Sequence, residues 1–161
     1  FSHQHGPSAC SMGFMVSHAE IAANKAAKRG AQFCKHRQLE FRLPALKGIG
    51  GSHLYLVDQQ LAKTQFQEQF ELEKGPSARS AGLKLIDHLT HNVYQGGMNK
   101  WSEYYEKIFN FKEIRYFDIK GQHTGLLSRA MTSPCGKIRI PINEGTEKES
   151  QIEEYKMYNL K

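Results

Sequence analysis

The residues of this chain best placed to do chemistry lie in Asp87-His88-Leu89-Thr90-His91-Asn92-Val93, where two imidazoles stand three apart in an apolar setting. A neutral imidazole facing a lined cavity can ligate a metal. On a helix this spacing would put both rings on one face, but Leu85, Ile86, Leu89 and Val93 give the segment the character of a strand over 83–93. A strand alternates its side chains, so His88 and His91 should point to opposite faces and not chelate one ion together. The plain expectation is one hydrogen-bonded core histidine and one solvated one, with a single metal ligand as the sharper alternative. Asp87 could orient a ligating ring from behind, or be no more than a charge at a strand edge.

Three neutral polar residues sit in otherwise apolar, extended runs: Ser128, Asn143 and Gln151. An inward-facing hydroxyl or amide needs a partner, either structural or carried by a ligand. Ser128 and Asn143 belong to different strands, and spacing alone leaves open whether they converge. Glu144, Glu153 and Glu154 are conceivable carboxylate ligands, but each lies among charged neighbours and reads first as solvated. Gly48-Ile49-Gly50-Gly51 lacks the lysine, hydroxyl and following helix of a phosphate-cradling loop. No Ser-His-Asp or Cys-His pairing is recognisable.

The elements that must position these residues come in two series. Residues 10–16 read as a buried strand, and Ser17 with Glu20 forms a capping-box pattern that opens an alanine-rich helix from Ala19 to Arg29, stopped at Gly30. Extended runs follow at 31–36, 39–46 and 53–58. Residues 59–82 are rich in Gln and then in Gly, Pro and Ser, the composition of a linker. The order then restarts with the strand 83–93. A helix from Lys100 to about Asn110, N-capped by Asn99, carries an apolar stripe of Trp101, Tyr104, Tyr105, Ile108 and Phe109. Extended runs at 112–119, 123–132 and 137–143 complete it. Strand–helix–strand–strand–strand therefore occurs twice, as a repeat of element order with little shared identity.

The 161 residues, 39% hydrophobic and 24% charged, fit a globular chain and not a disordered one. The net charge of +6 comes from scattered Lys and Arg without a basic block, which serves solubility better than nucleic-acid binding. No apolar run is long enough to cross a bilayer, so no membrane partner is expected. The N-terminus has neither the charged region nor the apolar core of a signal peptide and lacks an initiator Met, which reads as a segment of something longer. Cys10, Cys34 and Cys135 are odd in number and far apart, as suits free thiols in a cytoplasmic protein.

Longer motifs go further than spacing. Residues 82–94, Ile108-Phe109-Asn110-Phe111 with Arg115-Tyr116-Phe117-Asp118-Ile119-Lys120-Gly121, and Ile138-Arg139-Ile140-Pro141-Ile142-Asn143-Glu144 closely resemble bacterial 4-hydroxyphenylpyruvate dioxygenases. So do His5-Gly6-Pro7-Ser8 and residues 43–51. The resemblance covers nearly the whole chain. It implies an α+β fold of the vicinal-oxygen-chelate type, two βαβββ modules joined by a linker. Residues 1–58 would be the second module of an N-terminal domain, 59–82 the linker, and 83–161 the first, incomplete module of a catalytic domain.

The resemblance also implies an activity: Fe(II)-dependent conversion of 4-hydroxyphenylpyruvate and O2 to homogentisate and CO2, in a homo-oligomer (dimer or tetramer). His88 matches the first of the family's three iron ligands. Ser128, Asn143 and Gln151 match its polar substrate-pocket residues, and Pro141 matches a pocket-lining proline. His91 matches no ligand. The family's second histidine and its glutamate would lie past Lys161, so this segment is expected to be inactive by itself. It is also expected to self-associate or be marginally stable unless its two modules pair with each other. Two alternatives accompany this reading. One is a haemolysin- or pigment-associated protein acting indirectly through homogentisate. The other is a different vicinal-oxygen-chelate dioxygenase.

Overall fold

The structure, a computed structural model, describes residues 1–35, 43–70, 81–120 and 125–146. A short helix α1 (Ser2–His5) leads into strand β1 (Ser11–Met15), helix α2 (Ala19–Lys28) and strands β2 (Ala45–Lys47) and β3 (His53–Val57). Helix α3 (Gln59–Gln69) follows. The second series comprises β4 (His91–Val93), α4 (Met98–Phe109), β5 (Lys112–Lys120), β6 (Gly125–Thr132) and β7 (Arg139–Gly145).

The repeat expected from element order is present in part: among the described residues the second sheet has four strands and the first three. In the first, β1 runs parallel to β3 and β2 antiparallel to it, with Phe33 bridged antiparallel to Leu46 where a fourth strand would lie. In the second, the order is β4-β7-β6-β5, with β4 parallel to β7 and the other pairs antiparallel. In each series the first strand thus pairs with the last, as the crossover through one helix requires.

Both helices are opened by a carboxylate from the far end of their own sheet. Asp58, just past β3, accepts from the backbone N–H of Ala19 through Oδ2 at 3.1 Å. Glu144, on β7, accepts from the N–H of Met98 at 2.8 Å. A negative charge at a helix N-terminus meets both the orphan donors and the positive end of the dipole. This displaces two expectations. The Ser17–Glu20 capping box is not used, since His18 is the N-cap and makes no side-chain cap bond. Nor does Asn99 cap α4, which starts one residue earlier, at Met98.

Two further differences bear on the site. Residues 59–69, expected within a linker, form α3, whose N-terminus Asp58 caps through Oδ1 to the Leu61 N–H at 2.9 Å. Glutamine is a good helix former, and one strong cap suffices to start the turn. The strand expected over 83–93 shrinks to His91–Val93. The β4–β7 register, carried back along the chain, sets His88 opposite Arg139, where β7 begins. Residues before His88 have no ladder partner there, and Leu83, Leu85 and Ile86 stand 92%, 77% and 74% exposed.

One apolar cluster spans both modules. Phe14, Ala23, Ala26, Leu46, Leu54 and Leu56 from the first join Val93, Tyr105, Ile108, Met131, Ile140 and Ile142 from the second. The Phe14 ring meets Phe109 edge-on at 5.0 Å. Arg29, at the end of α2, donates through Nη1 to the Ile108 carbonyl at 3.0 Å and to Asn110 Oδ1 at 2.9 Å. The two modules do pair with each other.

Candidate functional site

The second sheet has two unlike faces. Met131, Ile140 and Ile142 are fully buried with Tyr105 of α4, so their face is the one the helix covers. Arg129 shares it, with Nη1 donating to Ser102 Oγ at 2.7 Å and Nε paired with Glu113 at 3.0 Å. By alternation, Ser128, Ala130, Pro141 and Asn143 point the other way. The register pairs Ser128 directly with Asn143, and Ala130 with Pro141. Two polar residues whose convergence the sequence left open are cross-strand neighbours.

The row extends across the sheet. Phe117 of β5 pairs with Ser128, and Asn92 of β4 pairs with Asn143. Sequence reasoning missed both. Phe117 looked like one aromatic among several in β5, and Asn92 stood next to two histidines that drew attention first. Only the register singles them out. Ser128 is buried, and Asn143 Oδ1 is buried without a hydrogen-bond partner among the described residues. A buried acceptor left open costs about 1–3 kcal/mol, so such an atom marks a place for a donor.

His88 lies just before β4, near the start of β7. The ring is exposed, not enclosed in an apolar cavity as the strand reading supposed, because the β4–β7 ladder begins only at His91. Its Nδ1 lies 2.9 Å from Asp87 Oδ2. A carboxylate at that distance is the acceptor, so Nδ1 carries the proton and Nε2 keeps its lone pair for a ligand or metal. Asp87 also pairs with Arg139 through Oδ1. The His88 hydrogen bond first, and the Arg139 guanidinium after it, hold the Asp87 carboxyl below its ordinary range.

The other histidine has the opposite setting. His91 lies on the helix side, its Nδ1 3.2 Å from the Tyr105 hydroxyl, and burial lowers its pKa to about 4. One core histidine and one solvated histidine is what the sequence led to expect, although His88 lies outside the strand whose alternation was to separate them. Glu144 is engaged in capping α4 and is half-buried, not solvated. Gln151, Glu153 and Glu154 lie outside the described residues. Among those described, no three His, Cys, Asp or Glu side chains gather into a metal-holding group. An imidazole backed by a carboxylate, as at Asp87-His88, has donor chemistry suited to a transition metal, but two such residues make no complete ligand set. Nor is any helix among them long and apolar enough to cross a membrane.

The chain is similar to known proteins over most of its length. Residues 1–67 match the family described as "Hydroxyphenylpyruvate dioxygenase, HPPD, N-terminal". The chain is 55% identical over 159 residues to the 4-hydroxyphenylpyruvate dioxygenase of Pseudomonas aeruginosa, covering 96% of this chain and 44% of that protein. It is 50% identical over 161 residues to Hemolysin VllY of Vibrio vulnificus, with 96% and 45% covered. The chain thus spans about half the length of the curated relatives it matches. Among solved structures, a xylose isomerase-like TIM barrel/4-hydroxyphenylpyruvate dioxygenase fusion protein superposes with a TM-score of 0.71 at 29% identity, covering 89% of this chain and 22% of that one. A mutant of 4-hydroxymandelate synthase from Streptomyces coelicolor gives 0.72 at 17% identity, with 94% and 45% covered, and shares the fold.

Proposed function

We propose that the chain belongs to the 4-hydroxyphenylpyruvate dioxygenase family and supplies one wall of the catalytic site of an enzyme converting 4-hydroxyphenylpyruvate and O2 to homogentisate and CO2. The observation that carries this is the row Asn92–Asn143–Ser128–Phe117, with an open buried acceptor at Asn143 Oδ1.

In this reading residues 1–58 are the second module of the N-terminal domain, in keeping with the family match over 1–67. Residues 83–161 are the first module of the catalytic domain. His88 is one of the Fe(II) ligands, oriented by Asp87. Bound Fe(II) supplies the redox chemistry that O2 demands. The chain's own part is recognition. Asn143 Oδ1 accepts from a donor on the substrate, Ser128 offers a hydroxyl beside it, and Pro141 and Phe117 flank the aromatic ring. Gln151 completes the polar set. Neutral groups suit this task because they hold a phenolic ring without charging it. Three free cysteines accord with a cytoplasmic setting.

The test uses the full-length protein that contains this segment. Homogentisate formation with Fe(II), ascorbate and O2 should be present in the wild type. His88→Ala should abolish both turnover and stoichiometric Fe(II) binding. Full activity in that variant would remove His88 from the metal site and the reading with it. The similarity to a protein named Hemolysin VllY supports a second, indirect role, in which homogentisate and its oxidation products damage cells. Purified protein should then lyse erythrocytes only when substrate is supplied.

A further inference from the structure

The register between β5 and β6 slips once. Lys112 lies opposite Thr132 and Glu113 opposite Met131, but Arg115 lies opposite Ala130, which leaves Ile114 without a counterpart. In a regular strand Lys112 and Arg115, three apart, would point to opposite faces. The bulge at Ile114 turns both toward the face that carries Ser128 and Asn143.

The same slip sorts the charges of β5, β6 and β7. Glu113 shares the α4 side with Met131 and pairs with Arg129 at 3.0 Å. Asp118 lies opposite Leu127 on that side, and Glu144 turns to the first turn of α4. No carboxylate of these strands is left on the open face, whereas Lys112, Arg115 and Arg139 stand on it. Arg139 is taken by Asp87. Lys112 and Arg115 are exposed and have no ion-pair partner among the described residues. Arg115, directly opposite Ala130, is the diagonal neighbour of Ser128, a separation that a long side chain spans.

We propose that Lys112 and Arg115 are specificity-determining residues, which draw the carboxylate end of an anionic substrate to the open face while the Ser128–Asn143 pair meets its neutral part. This rests on the catalytic reading above and adds a residue role to it. Neutral hydroxyl and amide groups can hold a ring, but they discriminate poorly between an acid and its amide. A guanidinium beside them favours the acid and steers its approach. Charges that only protect a sheet edge serve on either face and call for no bulge.

The test uses the metal-free full-length protein, so that iron supplies none of the attraction. In ligand-observed NMR titrations at low salt, 4-hydroxyphenylacetate should bind about fivefold more tightly than 4-hydroxyphenylacetamide. Arg115→Gln should remove that preference and Arg115→Lys should keep much of it. Lys120→Gln, a cation of the same strand on the α4 side, should leave it unchanged. Raising salt from about 10 mM to about 200 mM should shrink the preference in the wild type, a readout that needs no variant to fold. In the iron-loaded enzyme the loss in Arg115→Gln should fall on KM for 4-hydroxyphenylpyruvate. An acid bound no more tightly than its amide, a preference that survives Arg115→Gln or high salt, or an equal loss in Lys120→Gln would each overturn the proposal. Absence of homogentisate beside an intact preference for the acid would count against the reaction alone.

Discussion

Asn143 shows how much a single side chain's role depends on its neighbours. Its amide oxygen is buried and open, and Ser128 stands across from it. Replacing it with Leu in the full-length enzyme should leave the fold intact, because an open acceptor is removed and no bond is lost. Substrate recognition should suffer instead: kcat/KM is expected to fall about tenfold, mainly through KM, in steady-state assays with 4-hydroxyphenylpyruvate. His91 predicts a pH effect of the opposite kind, on stability. Its folded-state pKa of about 4 lies below the ordinary 6.5, so between those values the unfolded chain binds the extra proton. Stability from this group is complete above pH 6.5 and is lost as pH falls toward 4, by on the order of 3 kcal/mol. Urea unfolding of the wild type at pH 7 and pH 4.5, against His91→Gln, should show the variant less sensitive to that change.

At the scale of elements, the two helices share a device that no local sequence pattern announces. Asp58 and Glu144 each reach from a strand end to the first turn of the helix in the same series. A local capping box was legible at Ser17 and Glu20, yet the fold uses a distant carboxylate, because the parallel crossover brings the last strand's end beside the helix start. Glu144→Ala should cost about 1 kcal/mol, or some 2–4 °C of melting temperature by calorimetry. Since Glu144 sits next to Asn143, the same change should also perturb substrate binding in the full-length enzyme. Asp58 carries the same logic in its titration. Hydrogen bonds from Leu61 and Ala19 hold its carboxyl below the ordinary range, so its contribution is present at neutral pH and lost only on acidification through that lowered value.

At the scale of the molecule, the two series pack against each other through Phe14, Phe109 and the bonds from Arg29. Unfolding followed by tryptophan fluorescence, which reports on the second module, and by far-ultraviolet dichroism should therefore coincide. Arg29→Ala, which cuts both bonds between α2 and the end of α4, should separate the two transitions. The outward edge is less complete. Residues 83–86 and the whole of β5 are exposed, with Ile114, Tyr116, Phe117 and Ile119 uncovered. With no metal-holding group of three His, Cys, Asp or Glu side chains among the described residues, the 161-residue chain supplied with Fe(II), ascorbate, O2 and 4-hydroxyphenylpyruvate should give no turnover comparable to a full-length enzyme.

The sequence by itself determined most of the element order, though not α3, the pairing of one core with one solvated histidine, and the resemblance to 4-hydroxyphenylpyruvate dioxygenases. These rest on periodicity and on long motifs, which are local properties of the chain. It placed Ser128 and Asn143 in strands, but their convergence waited on the β6–β7 register, a property of two strands together. It extended β4 to residue 83 because apolar character is local, whereas the ladder to β7 begins only at His91, opposite Ile142. Tertiary structure alone decided which histidine is enclosed. It set His91 against Tyr105 and left His88 in solvent, braced by Asp87 with one nitrogen free.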